Sequence, residues 1–264
     1  MSVLKKWVQV WILILVFGFA QKPERIVTIY LIGDSTMADY ANNYDEGRDY
    51  YQTRYPVTGW GQVFQPFFST DLSVFSNLFT ADSAVVDDRA RGGRSTRTFF
   101  QEGRWRSVYE SLKPGDVVII QFGHNDAAET KTERYVDIEG YKEFLRLYVT
   151  QSRQKGATPI ILTPVARNYP WENNHLQNVH GEYPEAALEV AQELNTLFID
   201  LNQLSMDAFS EVGREYATQN YFMNLDSGVY EAYPNGQSDN THFQPEGARV
   251  VAGLVFVTMK TLKK

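Results

Sequence analysis

Short apolar runs, unbroken by polar residues in any regular alternation, recur along this chain and constrain its fold more than any other feature. They are Ile26–Ile32 (IVTIYLI), Ala84–Val86, Asp116–Phe122 (DVVIIQF), Pro159–Thr163 (PIILT) and Leu197–Leu201 (LFIDL). All are rich in β-branched residues and too short for a buried helix. Such runs suit strands covered on both faces of a parallel sheet. Helical periodicity fills the intervals. Ile138–Gln154 puts Tyr141, Phe144, Leu145, Tyr148 and Val149 on one face, and Pro184–Leu194 does the same through Ala187, Leu188, Ala191 and Leu194. A last helix is expected from Pro245-Glu246 through Val250, Val251, Leu254 and Val255, with proline in its first turn and lysines beyond its end. Strand and helix in alternation predict a doubly wound α/β sandwich on five parallel strands. In such sheets a site lies beyond the carboxyl ends of the strands.

The start of the chain is of another kind. Lys5-Lys6, an apolar run from Val10 to Ala20 and a small-x-small ending at Gly18-Phe19-Ala20 read as a secretory signal peptide over residues 1–20. The run is short for a bilayer span, which takes roughly 20 residues; a retained N-terminal anchor is the alternative. Removal of residues 1–20, which hold two lysines and no acid, leaves one domain over 21–264 with 244 residues and a formal net charge of −9, against −7 for the 264-residue chain. With no cysteine there is no disulfide, thiolate metal site, lipobox thiol or cysteine nucleophile. The acidic balance argues against general nucleic-acid binding, which depends on phosphate neutralisation.

The turns that follow the strands carry the chemistry. After the first comes Gly33-Asp34-Ser35-Thr36-Met37, where a glycine beside a serine allows a sharp turn and an outward hydroxyl. It is not the G-x-S-x-G elbow, since position 37 is Met, and taken alone it could equally be a turn capped by Ser or Asp. After the second comes Ala90-Arg91-Gly92-Gly93-Arg94-Ser95-Thr96, whose paired glycines expose backbone N–H groups. The third ends in Gly123-His124-Asn125-Asp126, where Asn is a neutral donor suited to an oxyanion. Before the last helix, Asp239-Asn240-Thr241-His242 pairs a carboxylate with an imidazole at a helix entrance. Alternatives for these are a plain turn and a capping Asp beside a surface His. No second His/Asp/Glu pair at ligand spacing accompanies Asp239 and His242, so neither metal nor cofactor is expected. Together the four turns supply the parts of acyl transfer: nucleophile, oxyanion donors, general base and its orienter.

These four segments resemble the four blocks of the SGNH (GDSL-type) hydrolase superfamily, and most closely its rhamnogalacturonan acetylesterase branch. The resemblance rests on Gly33–Ala38 (GDSTMA), Gly92–Ser95, Glu102–Arg104 and Phe122–Asp126 (FGHND), and spans about residues 26–255. It implies a flavodoxin-like three-layer α/β/α fold, Ser35 as nucleophile, an oxyanion hole of the Ser35 and Gly93 amides with Asn125, and a triad completed by Asp239 and His242. Gly93 is preferred to Gly92 for its place just before Arg94-Ser95. Two departures stand out. A Tyr-rich insertion, Asp39–Thr58, carries Tyr40, Tyr44, Tyr50, Tyr51 and Tyr55, either to stack on sugars or to pack on itself. Asn240 stands where the fungal type tends to have another His.

The implied activity is secreted O-deacetylation of a pectin-type polymer, with an acetylated acidic polysaccharide as partner and neither nucleic acid nor, once the signal is removed, membrane. An SGNH lipase, thioesterase or arylesterase, an esterase for xylan, and a silent sugar-binding module are the competing classes. Arginines at 89, 91, 94, 97, 104 and 106 surround the second block and could pair bidentately with galacturonate, or with Asp82, Asp87, Asp88, Glu102 and Glu110 instead. Substrate contacts are expected from Arg91, Arg94, Trp60, Arg167 and Trp171. His175 and His180 read as surface or loop-packing residues, and His124 as a support of its own turn.

Overall fold

A computed structural model describes residues 24–42, 47–69 and 71–263. The segment read as a signal peptide, 1–20, and Tyr44 of the insertion lie outside the described residues. Five strands form a parallel sheet: β1 Ile26–Gly33, β2 Ser83–Asp88, β3 Val117–Gln121, β4 Thr158–Leu162 and β5 Leu197–Ile199. Their order across the sheet is β2-β1-β3-β4-β5. This is the flavodoxin-like order, whose topological switch point lies between β1 and β3. The five apolar runs correspond to the five strands. The last strand is shorter than expected because Asp200 caps a helix there, its Oδ1 accepting the Gln203 N–H at 3.1 Å.

Alternate residues along each strand feed two cores, one per face. Ile29, Leu31, Ile119, Ile160 and Ile199 pack under α5 (Leu201–Val212) and α6 (Pro245–Met259) with Trp60, Phe64, Phe68 and Phe75. Tyr30, Ile32, Val118, Ile120 and Ile161 face α1 (Thr96–Gln101), α2 (Arg104–Ser111), α3 (Ile138–Gln154) and α4 (Tyr183–Glu193). The sheet is therefore buried on both sides, which is why its strands show no alternation. Helix α3 has the bounds its periodicity predicts. Asp137 caps it through the Gly140 N–H at 2.8 Å, and Tyr141, Leu145, Tyr148 and Val149 are buried, with Phe144 at the edge.

One element departs from expectation. Asp239 and His242 do not sit at a helix cap but on strand β7 (Gln237–Phe243), antiparallel to β6 (Phe222–Leu225). This hairpin lies outside the main sheet and delivers the chain to α6. Among the described residues no helix is long and apolar enough to cross a membrane.

Candidate active site

The turn after β1 owes its shape to a close approach. A side chain at Gly33 would place its Cβ 2.6 Å from the Gln121 carbonyl oxygen, so only glycine lets β1 end against β3. Asp34 then folds back: its Oδ1 accepts the Thr36 N–H and hydroxyl, both at 2.9 Å. The local capping function thus falls to Asp34, and the Ser35 hydroxyl has no hydrogen-bond partner among the described residues. Ser35 lines a cleft of about 520 Å³ at the carboxyl edge of the sheet.

Beneath the serine runs a buried chain of hydrogen bonds. Trp60 Nε1 donates to Gln121 Oε1 at 2.7 Å, and Gln121 Nε2 donates to Thr36 Oγ1 at 2.8 Å. Trp60, expected to touch substrate, is fully buried in this network and does not line the cleft. Its indole N–H needs an acceptor, and Gln121 at the end of β3 supplies it.

Gly93 lies on the cleft wall with φ +78°, a left-handed conformation that favours glycine. Asn125 also lines the cleft, its amide donating to the Arg94 carbonyl at 2.9 Å. A primary amide carries two N–H donors, so one remains for the cleft. Asp126 joins the second and third turns: Oδ1 accepts the Thr96 N–H at 2.9 Å and hydroxyl at 2.6 Å, and Oδ2 the Gly123 N–H at 3.1 Å. Burial pushes the carboxyl of Asp126 up to about 7 and that of Asp34 up to about 6, against the hydrogen bonds each accepts.

Across the cleft, His242 Nδ1 lies 2.6 Å from Asp239 Oδ2, while Asp239 Oδ1 accepts the Thr241 and His242 N–H groups at 2.8 and 3.1 Å. Burial works to raise the carboxyl of Asp239, but the imidazole and the two amides outweigh it and hold it below the ordinary range. With Nδ1–H directed at the carboxylate, Nε2 is the basic nitrogen left for the cleft. Asn240 between them is a hub. Its Oδ1 accepts from Asn168 Nδ2 at 2.9 Å and Asn224 Nδ2 at 3.0 Å, and its carbonyl from Asn168 N at 2.9 Å.

The structure therefore brings Ser35, Gly93, Asn125, Asp239 and His242 to one cleft and sorts the expected substrate contacts. Arg167 lines it. Arg91 and Arg94 do not: Arg94 chelates Glu102 at 3.0 Å and the Gly92 carbonyl at 2.7 Å, and Arg91 faces a separate depression with Asp87 and Arg104. Trp171 packs against the core and donates to the Asn168 carbonyl at 3.1 Å. The second-block arginines are largely internal pairs: Arg89–Asp87, Arg104–Glu102 and Arg106–Glu110. In their place Arg54, Arg134 and Tyr233 line the cleft. Arg54 comes from the Tyr-rich insertion, whose Tyr50, Tyr51 and Tyr55 pack on one another in T-shaped and tilted contacts and reach Tyr230. Arg134 follows the FGHND turn, and a cation in the loop after a central strand was the available signal. His124 also lines the cleft, with the buried His180 against it at 3.2 Å, so His180 is a packing residue of the interior.

Residues 31–250 match the model of the GDSL-like lipase/acylhydrolase family. The chain is 34% identical over 232 residues to the rhamnogalacturonan acetylesterase RhgT of Bacillus subtilis (strain 168), covering 88% of this chain and 89% of that one. It is 35% identical over 235 residues to the probable rhamnogalacturonan acetylesterase YesY of the same organism, covering 89% and 93%. Among solved structures, YxiM of Bacillus subtilis superposes with a TM-score of 0.68 at 26% identity, over 91% of this chain and 58% of that longer one. The acetylxylan esterase Axe2 of Geobacillus stearothermophilus gives 0.59 at 17% identity over 90% and 95%, a likeness of fold.

Proposed function

The chain belongs to the GDSL-like lipase/acylhydrolase family and is a carboxylic ester hydrolase; from that premise we propose that it is a carbohydrate O-acetylesterase acting on acetylated rhamnogalacturonan. The observation that carries this reading is the meeting of Ser35, Gly93, Asn125 and the Asp239–His242 pair in one open, polar cleft. The two relatives at 34 and 35% identity, each named for rhamnogalacturonan, support the choice of polymer.

The mechanism is double displacement. His242 Nε2 takes the hydroxyl proton as Ser35 Oγ bonds to the acetyl carbonyl carbon. Asp239 holds the imidazole by Nδ1 and stabilises the cation that forms. The oxyanion is received by the Ser35 and Gly93 N–H groups and the free N–H of Asn125. Collapse of the tetrahedral species expels the sugar alkoxide, which takes the proton from His242. Water then attacks the acetyl-serine, giving its proton to His242, and acetate leaves as Ser35 is reprotonated. Export through the segment at 1–20 would bring such an enzyme to its polymer.

Acetate release from acetylated rhamnogalacturonan, homogalacturonan and xylan tests both parts. The first polymer is expected to be the fastest, and Ser35→Ala to lose at least about 10³ in kcat. Equal rates on all three would remove the assignment of polymer, and wild-type turnover in the variant would remove that of the nucleophile.

A further inference from the structure

Four arginines around the second block differ from two arginines of the cleft in what they hold. Arg89, Arg94, Arg104 and Arg106 each have a carboxylate within 3.0 Å, supplied by a neighbour in sequence. Arg134 and Arg167, in the cleft, do not. Among the described residues the carboxylate near Arg134 is Glu133, 3.8 Å away and two-thirds exposed, and the buried Arg134 Nε has no hydrogen-bond partner. Arg134 also stands beside the proposed oxyanion hole: its Nη1 is 3.4 Å from where a Cβ on Gly93 would lie.

Arg167 is fixed in place by neutral acceptors. Its Nε donates to His124 Nδ1 at 3.2 Å, Nη1 to the Tyr169 hydroxyl at 2.7 Å and Nη2 to the His124 carbonyl at 3.3 Å. A guanidinium only donates, so His124 Nδ1 must be the bare nitrogen of a neutral ring. Burial, with His180 and Arg167 beside it, keeps that imidazole far below its ordinary pKa. The acid of the cleft, Asp239, is committed to His242 and two backbone amides. Among the described residues no carboxylate hydrogen-bonds Arg134 or Arg167, so both guanidiniums bring cationic charge to the cleft of a chain whose net charge is −7. The fork of a guanidinium matches a planar carboxylate.

We propose that Arg134 and Arg167 are specificity-determining residues that bind a uronate carboxylate of the acetylated chain beside the scissile ester. This rests on the acetylesterase reading of the same cleft and names what within the polymer is recognised. It also explains how a net acidic protein accepts a polyanion: the attraction is local to the cleft.

The test compares kcat/KM for an acetylated rhamnogalacturonan oligosaccharide with that for the same oligosaccharide whose carboxylates are converted to carboxamides. Wild type should favour the carboxylate roughly 10- to 100-fold, chiefly through KM, and Arg134→Gln and Arg167→Gln should each remove most of that ratio. Arg134→Lys and Arg167→Lys keep the charge without the fork and should fall between. Calorimetric binding of unacetylated oligogalacturonate gives a readout independent of turnover, expected to weaken at least about tenfold in the Gln variants. No preference in wild type, or a preference unchanged in the variants, overturns the proposal. So does weaker inhibition by free acetate with an unchanged ratio, which would assign the cations to the product. Absence of acetate release from any polysaccharide would defeat the acetylesterase reading, while charge-dependent oligogalacturonate binding would still stand.

Discussion

The two sides of the cleft are held by different physics. Ser35, Gly93 and Asn125 project from turns after β1, β2 and β3, the heart of a sheet buried on both faces. Under them Asp34, Thr36, Gln121 and Trp60 form a hydrogen-bonded chain with no solvent exposure. Asp239 and His242 ride instead on a two-stranded hairpin outside that sheet; its Phe222, Met223 and Phe243 are buried in the core, while the Asp239–His242 stretch is half-exposed and Asn240 within it is tied by Asn168 and, from the facing strand, Asn224. The side of the proposed nucleophile is thereby preorganised by the core, since a close-packed interior leaves few alternative positions. The stretch that carries the proposed base is joined to the core at Phe243 and is otherwise held by a few polar ties, which are individually weak. Damage to the first should appear as lost stability, and damage to the second as lost activity in a protein that stays folded.

The sharpest contrast is at the ends. Asp239→Asn should lower kcat by about 10⁴ near neutral pH, because an amide stabilises the wrong imidazole tautomer, in a protein that remains folded. A variant that keeps its activity would show that Asp239 does not orient the base. Asn125→Ala removes a proposed oxyanion donor and should cost about 10²–10³ in kcat. It also leaves the Arg94 carbonyl without its 2.9 Å donor, so a modest stability loss should accompany it. Stopped assays with an aryl acetate and thermal melts on the same samples read both quantities.

Acidity separates the two sides in opposite directions. The Asp34 carboxyl, raised from an unfolded value near 3.8 to about 6, binds more protons in the folded than in the unfolded chain across that interval. Stability therefore falls as pH rises through it, by about 3 kcal/mol for a shift of this size. Asp239 is depressed, so its contribution is present above its ordinary value and disappears as pH falls through its folded one. Asp34→Asn keeps the acceptor for Thr36 and replaces an oxygen, Oδ2, that has no hydrogen-bond partner among the described residues. Denaturant midpoints of wild type and this variant, compared between pH 4 and 7, should diverge in the variant's favour as pH rises. Parallel curves would mean that Asp34 carries no such burden.

Much of this was legible in the chain before any coordinates. The unalternating runs announced a doubly covered sheet, because strand character is a short-range property; the four turns were each ambiguous alone, and it was their combination and the resemblance it carries that singled out Ser35, Gly93, Asn125 and the Asp239–His242 spacing as candidates. What the sequence did not disclose depends on three-dimensional neighbours. Trp60 has the composition of a sugar-stacking residue, yet its burial is decided by Gln121, 61 positions away. The arginines around the second block could not be assigned because Glu102 and Asp87 compete for them. Arg134 became visible only when its loop was folded against Gly93. The hairpin that carries the proposed base was missed because its β7 run, Gln237–Phe243, is polar nearly throughout and resembles a loop.

Two milder substitutions probe the fastening itself. Trp60→Phe leaves Gln121 Oε1 buried without its donor, which should cost about 1–3 kcal/mol of stability and less than a tenfold change in kcat. Asn240→Ala does the converse. It removes the oxygen that receives Asn168 and Asn224, but the backbone bond from Asn168 N to the Asn240 carbonyl survives, as does the pairing of β7 with β6. Because that lost acceptor is partly replaced by water, the melting temperature should hardly move. His242 would sample more positions relative to Ser35, lowering kcat a few-fold while leaving KM nearly fixed. Loss of global stability in Asn240→Ala larger than in Trp60→Phe would break the division drawn here. It would mean that the polar stretch Asp239–His242, and not only the buried Phe222, Met223 and Phe243 of the hairpin, belongs to the cooperative core.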